Sequence, residues 1–193
     1  VFRDEPVTGN RFRQFTQCDA DIIGSDIRSE AELLAMANEI FKKIGIEPII
    51  LVNNRKLLNE ILEDAGVKAK NKENVLREID KYGKIPNVEI KKNLKKYKAE
   101  KILDSLKKGD KFFNKFKTYK EVLGLIGYCK AYGVKVLFAP TIIRGLSYYN
   151  GNIFEIKNKK MRETITAGGS FMFNGVQSTG ISFGLDRLAM LSP

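Results

Sequence analysis

The spacing of hydrophobic and polar positions changes several times along this chain, and each change marks an element. Residues 11 to 23, RFRQFTQCDADII, alternate as a half-buried strand does. Odd positions carry Arg11, Arg13, Phe15, Gln17, Asp19 and Asp21; even positions carry Phe12, Gln14, Thr16, Cys18, Ala20 and Ile22. A one-residue slip would exchange a charged face for a milder one, so the pairing register must be well specified. A helical period follows. Ser29 and Glu32 have the spacing of a capping box, Leu33, Met36, Ile40, Phe41 and Ile44 form an apolar stripe, and Gly45 closes it. PIILVN (48–53) reads as a buried strand and RKLLNEILEDAG (55–66) as a helix ending at Gly66.

From Lys68 to Ala131 the period is helical almost throughout, punctuated by Gly83, Pro86 and Gly109. Helices are expected near 73–82, 88–97, 99–107 and 111–132. VKVLFAP (134–140) returns to strand. ETITAGGSFMF (163–173) reads as a strand with a glycine break, partnered by 148–156 across a KNKKMR turn, and GISFGLDRLAMLSP as a strand running into a helix. No internal repeat is evident. Strands with helices appended to one antiparallel sheet make an α+β fold. The organisation predicted is core (1–65), helical insertion (66–132), core (133–193).

Charge sharpens that division. The chain of 193 residues has a net charge of +11, and residues 66 to 121 hold 18 Lys and Arg against 8 Asp and Glu, so nearly all the excess sits in the middle segment. A local excess of this size favours a polyanion partner, although a lysine run is also an ordinary solvated helix face. Hydrophobic content of 43% is enough for a packed core. Two distant cysteines, Cys18 and Cys129, and no histidine argue against a disulfide scaffold or a transition-metal site. There is no run of about 18 apolar residues and no apolar signal segment at the start, so no membrane span is expected. A reducing, cytoplasmic setting is predicted.

Two stretches carry candidate chemistry. FRDEPVTGNRFRQF is a strand, a Pro/Gly/Asn loop and a second strand, with arginines on both sides of its mouth. Planar guanidinium forks bind phosphate or carboxylate through paired hydrogen bonds, although edge charges on a surface hairpin look the same. IIRGLSYYNGNIFEIK (142–157) sets Arg144 just ahead of Tyr148 and Tyr149. It reads either as a hairpin edge with half-buried rings or as a pocket where a cation and two phenols meet a ligand.

These stretches resemble a known family. FRDEPVTGNRFRQFTQCDADIIG resembles motif 2 of class II aminoacyl-tRNA synthetases, most of all the version in histidyl-tRNA synthetases. RGLSYYNGNIFE is similar to that family's histidine signature, R-G-L-x-Y-Y-x-x-x-x-F-E, and GGSFMFNGVQSTGISFGLDRL to its GG stretch followed by motif 3. The three occur in family order over essentially the whole chain.

The resemblance implies a class II antiparallel sheet flanked by helices, ATP with its Mg2+ as cofactors, no protein-held metal, and histidine and the acceptor arm of tRNA(His) as partners. It implies a homodimer in the full-length parent. Arg144 and Arg3 would be catalytic: Arg144 on the substrate carboxylate and α-phosphate, Arg3 on the α-phosphate. Glu5 would approach adenine, Phe15 would stack on it, and Arg11 and Arg187 would hold the triphosphate. Gln17, Asp21, Arg144, Tyr148, Tyr149, Gly169 and Phe171 would bind histidine. Asp21 stands where glutamate is more usual. Arg13, Lys91, Lys92, Lys95 and Lys96 would contact tRNA, with Thr8 and Asn10 near the acceptor end.

Some positions depart from the family pattern. Ser147 replaces an aspartate, and Ser170 and Phe171 replace the arginine and tyrosine of GG-R-Y. The chain starts inside motif 2, without motif 1 or an anticodon-binding domain, so a fragment of a longer protein is expected. Two alternatives stay open here. One is a synthetase-like regulatory subunit, such as that of ATP phosphoribosyltransferase. The other is a bare RNA-binding module.

Overall fold

The computed structural model describes residues 1–193 except 5, 6, 8, 10, 145–147 and 193. Its described strands are β1 (Gln17–Ile23), β2 (Ile49–Asn54), β3 (Val136–Phe138), β4 (Tyr149–Asn158), β5 (Met161–Phe173) and β6 (Val176–Gly184). They form one sheet in the order β1-β6-β5-β4-β2-β3. Every neighbouring pair is antiparallel except β2 and β3, which run parallel. The sheet is therefore mixed at this edge. A parallel neighbour needs a long crossover, and here the whole helical middle of the chain supplies it.

The helices are α1 (Ile27–Lys43), α2 (Arg55–Asp64), α3 (Lys72–Ile79), α4 (Asn87–Lys95), α5 (Ile102–Ser105), α6 (Asp110–Phe113), α7 (Tyr119–Ala131) and α8 (Leu185–Leu191). The capping box of α1 is Asp26 with Ser29, not Ser29 with Glu32: the Asp26 carboxylate accepts from the backbone of Arg28 and Ser29. The helix therefore starts earlier than expected, and its buried stripe becomes Ala31, Leu33, Leu34, Ala37 and Phe41, with Ile40 left exposed. Phe41 meets Phe183 of β6 with ring centroids 6.4 Å apart. Leu57, Leu58 and Ile61 of α2 and Val122 and Leu125 of α7 join the same core. Together they close one face of the sheet.

Three further expectations change. The strand predicted over 11–23 begins at Gln17. Ahead of it, Phe2 bridges Gln14, and Arg3 N–H donates to Arg13 O at 2.8 Å. The chain thus leaves its hairpin partner before joining β6. The predicted 111–132 helix is two helices, because Thr118 N–H and hydroxyl both turn to the Glu60 carboxylate. The turn between β4 and β5 is tighter than KNKKMR, since Asn158 already pairs with Met161.

The middle helices bury Val75, Leu76, Ile79, Ile90, Leu94, Ile102, Leu103 and Phe113. Ion pairs Arg55–Glu73, Lys72–Glu63 and Lys115–Asp64 tie them to α2. At the C-terminal end of this segment, α7 packs on α1, β2 and β3.

Candidate active site

The second face of the sheet is the floor of a cavity of about 960 Å³. Its shape follows from strand parity. Asp21 of β1 stands opposite Gly180 of β6, which stands opposite Gly169 of β5, and Gln17 stands opposite Gly184. Gln17 and Gly184 line the cavity itself, and Asp21, Gly180 and Gly169 continue the same face beyond it. At Gly180 a Cβ would meet Asp21 Oδ1 at 1.8 Å; at Gly169 it would meet Asn152 O at 2.6 Å and Tyr149 Cδ1 at 3.0 Å.

Seven of the predicted side chains line this one cavity: Arg3, Arg11, Phe15, Gln17, Arg144, Tyr149 and Arg187. Arg3, Arg11 and Phe15 come from the hairpin, Gln17 from β1, Arg144 from a loop, Tyr149 from β4 and Arg187 from α8. The hairpin brings Arg3, whose guanidinium lies 5.1 Å from the Phe15 ring centroid. Arg144 follows a segment fixed by buried Asn53 of β2, whose amide donates to Pro140 O at 3.1 Å and Ile142 O at 2.9 Å. Arg187 rides on the first turn of α8 and donates to Thr164 O. That helix is docked to β1 through Thr16, whose N–H donates to Asp186 at 2.7 Å and whose carbonyl accepts from Leu185. Gln17 donates to the Ser182 hydroxyl.

Asp21, Tyr148, Gly169 and Phe171 extend the same face beyond the cavity's central part. Tyr148 stacks on Phe171, with centroids 4.9 Å apart and planes at 23°, and meets Tyr149 edge-on at 5.1 Å. Tyr149 pairs with Phe171 across the strands. Ser170 points to the opposite face, where it donates to buried Glu30 of α1. Its departure from the family arginine therefore acts on the core. Phe171, by contrast, lies on the cavity's side of the sheet, against Tyr148 and opposite Tyr149. Glu5, Ser147, Thr8 and Asn10 lie outside the described residues.

The electrostatics suit an anion at one end and a ligand that both accepts and donates hydrogen bonds at the other. Burial lowers the Arg187 pKa, with Arg11, Arg144 and Arg3 pushing it the same way and Glu163 opposing them. These arginines are close enough to feel one another, and a phosphate among them would relieve that repulsion. Burial, with Asp19 beside it, raises the Asp21 carboxyl. Tyr148 is raised by burial and by Asp21. Tyr149 is raised by burial and, less strongly, by Tyr148 and Asp21, while Arg144 and Arg3 pull it the other way. Both phenols thus stay protonated at neutral pH and keep a hydrogen to donate.

None of the predicted RNA-side residues lines this cavity. Ile90 and Leu94 of α4 are buried while Lys92, Lys95 and Lys96 are exposed. Lys91 is half-buried and pairs with Asp104 at 2.9 Å. Arg13 is exposed on the hairpin. The cavity also contains residues that sequence reasoning did not assign: Glu155, Thr164 and Ser182, and Arg77 and Lys84 from the middle segment. Glu155 closes the RGLSYYNGNIFE stretch, which was a usable signal. Thr164 and Arg77 carried none. Among the described residues no group of three or more His, Cys, Asp or Glu is placed to hold a metal ion.

A mixed sheet with glycines and polar groups on one face, and arginines from a hairpin, a loop and a helix closing over it, has the plan of a class II aminoacyl-tRNA synthetase catalytic core. Comparison with known proteins narrows the class. A family model described as histidyl-tRNA synthetase matches residues 1–188, and the chain belongs to that family. Histidine–tRNA ligase 1 of Bacillus cereus (strain ZK / E33L) is 35% identical over 96% of this chain and 51% of its own length. Histidine–tRNA ligase of Phocaeicola vulgatus is 34% identical over 96% of this chain and 47% of its own. The chain spans about half the length of the curated relatives it matches. The crystal structure of histidyl-tRNA synthetase from Nostoc sp. PCC 7120 superposes with a TM-score of 0.85 at 26% identity, covering 99% of this chain and 52% of that one. An ATP phosphoribosyltransferase regulatory subunit/histidyl-tRNA synthetase from Bacillus halodurans C superposes at 0.79 with 18% identity, over 93% of this chain and 54% of that one, a likeness of fold.

Proposed function

We propose that this chain is the catalytic-core part of a histidine–tRNA ligase, acting in the cytoplasm as part of a homodimer. The observation that carries the reading is the convergence of Arg3, Arg11, Arg144 and Arg187 with Gln17 and Tyr149 on one cavity. In the first step a carboxylate oxygen of histidine bonds to the α-phosphorus of ATP, and the bond to the bridging oxygen of pyrophosphate breaks. In the second, the terminal ribose hydroxyl of tRNA(His) takes the histidyl group, and AMP leaves with the carboxylate oxygen bonded to phosphorus.

Such in-line chemistry is driven by positioning and charge stabilisation rather than by a protein nucleophile. Arg144 and Arg3 would meet charge developing at the α-phosphorus. Arg11 and Arg187 would hold the distal phosphates, Phe15 and Glu5 the adenine. Gln17, Asp21, Tyr148, Tyr149, Gly169 and Phe171 would form the histidine pocket. Magnesium, when bound, neutralises phosphate charge as an oxygen-ligated ion carried by ATP.

The basic middle segment is read as the tRNA acceptor-arm contact, through Lys92, Lys95 and Lys96 with Lys91 and Arg13 beside them. The division into 1–65, 66–132 and 133–193 is kept as an account of roles, with α7 belonging by its packing to the core. The test is ATP–pyrophosphate exchange on the longest natural product containing this sequence, with each of the twenty amino acids separately. Exchange with histidine alone is expected. No exchange from a folded protein would favour the regulatory paralogue instead.

A further inference from the structure

Glu155 is 6% exposed and sits on the cavity floor, opposite Ala167 of β5 and Leu51 of β2. A buried carboxylate is retained only where its charge is compensated and its lone pairs are used. Glu155 has three partners. Arg144 Nη1 donates to Oε1 at 3.3 Å, Lys157 Nζ lies 3.3 Å from Oε2, and the Thr164 hydroxyl donates to Oε2 at 2.8 Å. Thr164 also supplies the carbonyl that accepts from Arg187. One short path, Arg144–Glu155–Thr164–Arg187, therefore joins two arginines contributed by a loop and a helix far apart in the chain.

We infer that Glu155 is a positioning residue for adenylate formation, holding the Arg144 fork at the reacting phosphorus and setting its distance from Arg187. The inference rests on the ligase reading above. A purely structural ion pair would not need a cation that lines the cavity. Arg144 keeps 35% of its side-chain surface accessible there, and Lys157 already stands by to neutralise Glu155. An arginine left to its own rotamers would have to be ordered at every turnover. Anchoring it beforehand puts that ordering cost into folding instead. Because Arg144 meets charge that grows only in the transition state, misplacing it lowers turnover more than binding.

The test compares the full-length protein with its Glu155→Gln variant in histidine-dependent pyrophosphate exchange. Glutamine keeps the shape and loses the charge. Expected is a fall in kcat of about 100-fold, as for a misplaced reacting group, with both KM values within about threefold. In an Arg144→Lys background the same change should add less than about twofold, because the coupling is already broken. Exchange in Glu155→Gln within twofold of the parent, or a loss as large in the Arg144→Lys background, overturns the inference. If Glu155→Gln does not fold, Thr164→Val keeps the ion pair and removes the hydroxyl. A kcat loss of about tenfold then supports the role, and no loss overturns it. Absence of histidine-dependent exchange in the unaltered protein overturns the ligase reading and this inference with it.

Discussion

Gly168 and Gly180 give a prediction that separates fold from site. A Cβ at Gly168 would lie 2.0 Å from Gly180 O and 2.4 Å from Phe154 Cε2, so β5 and β6 would have to part at the centre of the sheet. A Cβ at Gly180 would lie 1.8 Å from Asp21 Oδ1 and 3.3 Å from Phe171 Cε1. In the first case the obstacle is backbone and a buried ring, which cannot move aside; in the second it is mainly the end of a short side chain, which can rotate. Gly168→Ala should cost about 3 kcal/mol or more, the upper range for overpacking. For a chain of this size that lowers Tm by about 6 to 12 °C. Gly180→Ala should lower Tm by only a few degrees, but it displaces the carboxylate predicted to meet histidine. A lost hydrogen bond to a charged group is worth about 1.5–3 kcal/mol, so KM for histidine should rise roughly 10- to 100-fold. Thermal unfolding by circular dichroism and pyrophosphate exchange at varied histidine, on the full-length protein, measure both. Equal loss of Tm in the two variants, or an unchanged histidine KM in Gly180→Ala, would refute the argument from these contacts.

Three other predictions test different parts. Arg144→Ala should lower exchange by about 10²–10³-fold, as when a transition-state donor is removed, with a native circular dichroism spectrum; normal turnover would end the assignment. Burial raises the Glu30 carboxyl, against the hydrogen bonds from Ser170 and Asn152, so its contribution to stability is present below its unfolded pKa and lost as pH rises through the folded value. Glu30→Gln should therefore gain on the parent as pH rises from 4 to 8 in urea unfolding, and a difference independent of pH would contradict this. Replacing Lys92, Lys95 and Lys96 together by alanine should reduce the salt slope of tRNA binding by about 2 to 3, at about 0.7–0.9 per phosphate contact. Histidine-dependent exchange without tRNA should not change, and an unaltered slope would place the RNA contact elsewhere.

Much of the molecule was legible in local pattern. Strand and helix periods located the strands and the longer helices, although the expected 99–107 helix is only Ile102–Ser105, and the position of Gly45 and Gly66 after apolar stripes marked two helix ends correctly. The charge count separated a basic middle from a balanced core. The odd positions of the 11–23 stretch shared a face, as alternation requires, and Gln17 and Asp21 do stand over facing glycines. Arg3, Arg11, Arg144 and Arg187 were identifiable as residue types at suggestive positions, and the cavity unites them.

Other features were decided only by packing between distant segments. The start of α1 depended on which of two nearby side chains caught the free N–H groups, and Asp26 with Ser29 did so. The parallel pairing of β3 with β2, the docking of α7 on α1, and the break at Thr118 come from partners 58 or more residues away. Ser170 and Phe171, neighbours in sequence, lie on opposite faces because a strand alternates, so one touches Glu30 and the other Tyr148. Glu155 closes a stretch that was legible in the sequence, but only register placed it against Arg144 and Thr164. Periodicity fixes which side of an element is apolar, since that depends only on residues a few positions apart. Which elements meet, and at which register, depends on burying those apolar sides together, a condition met by the whole chain at once.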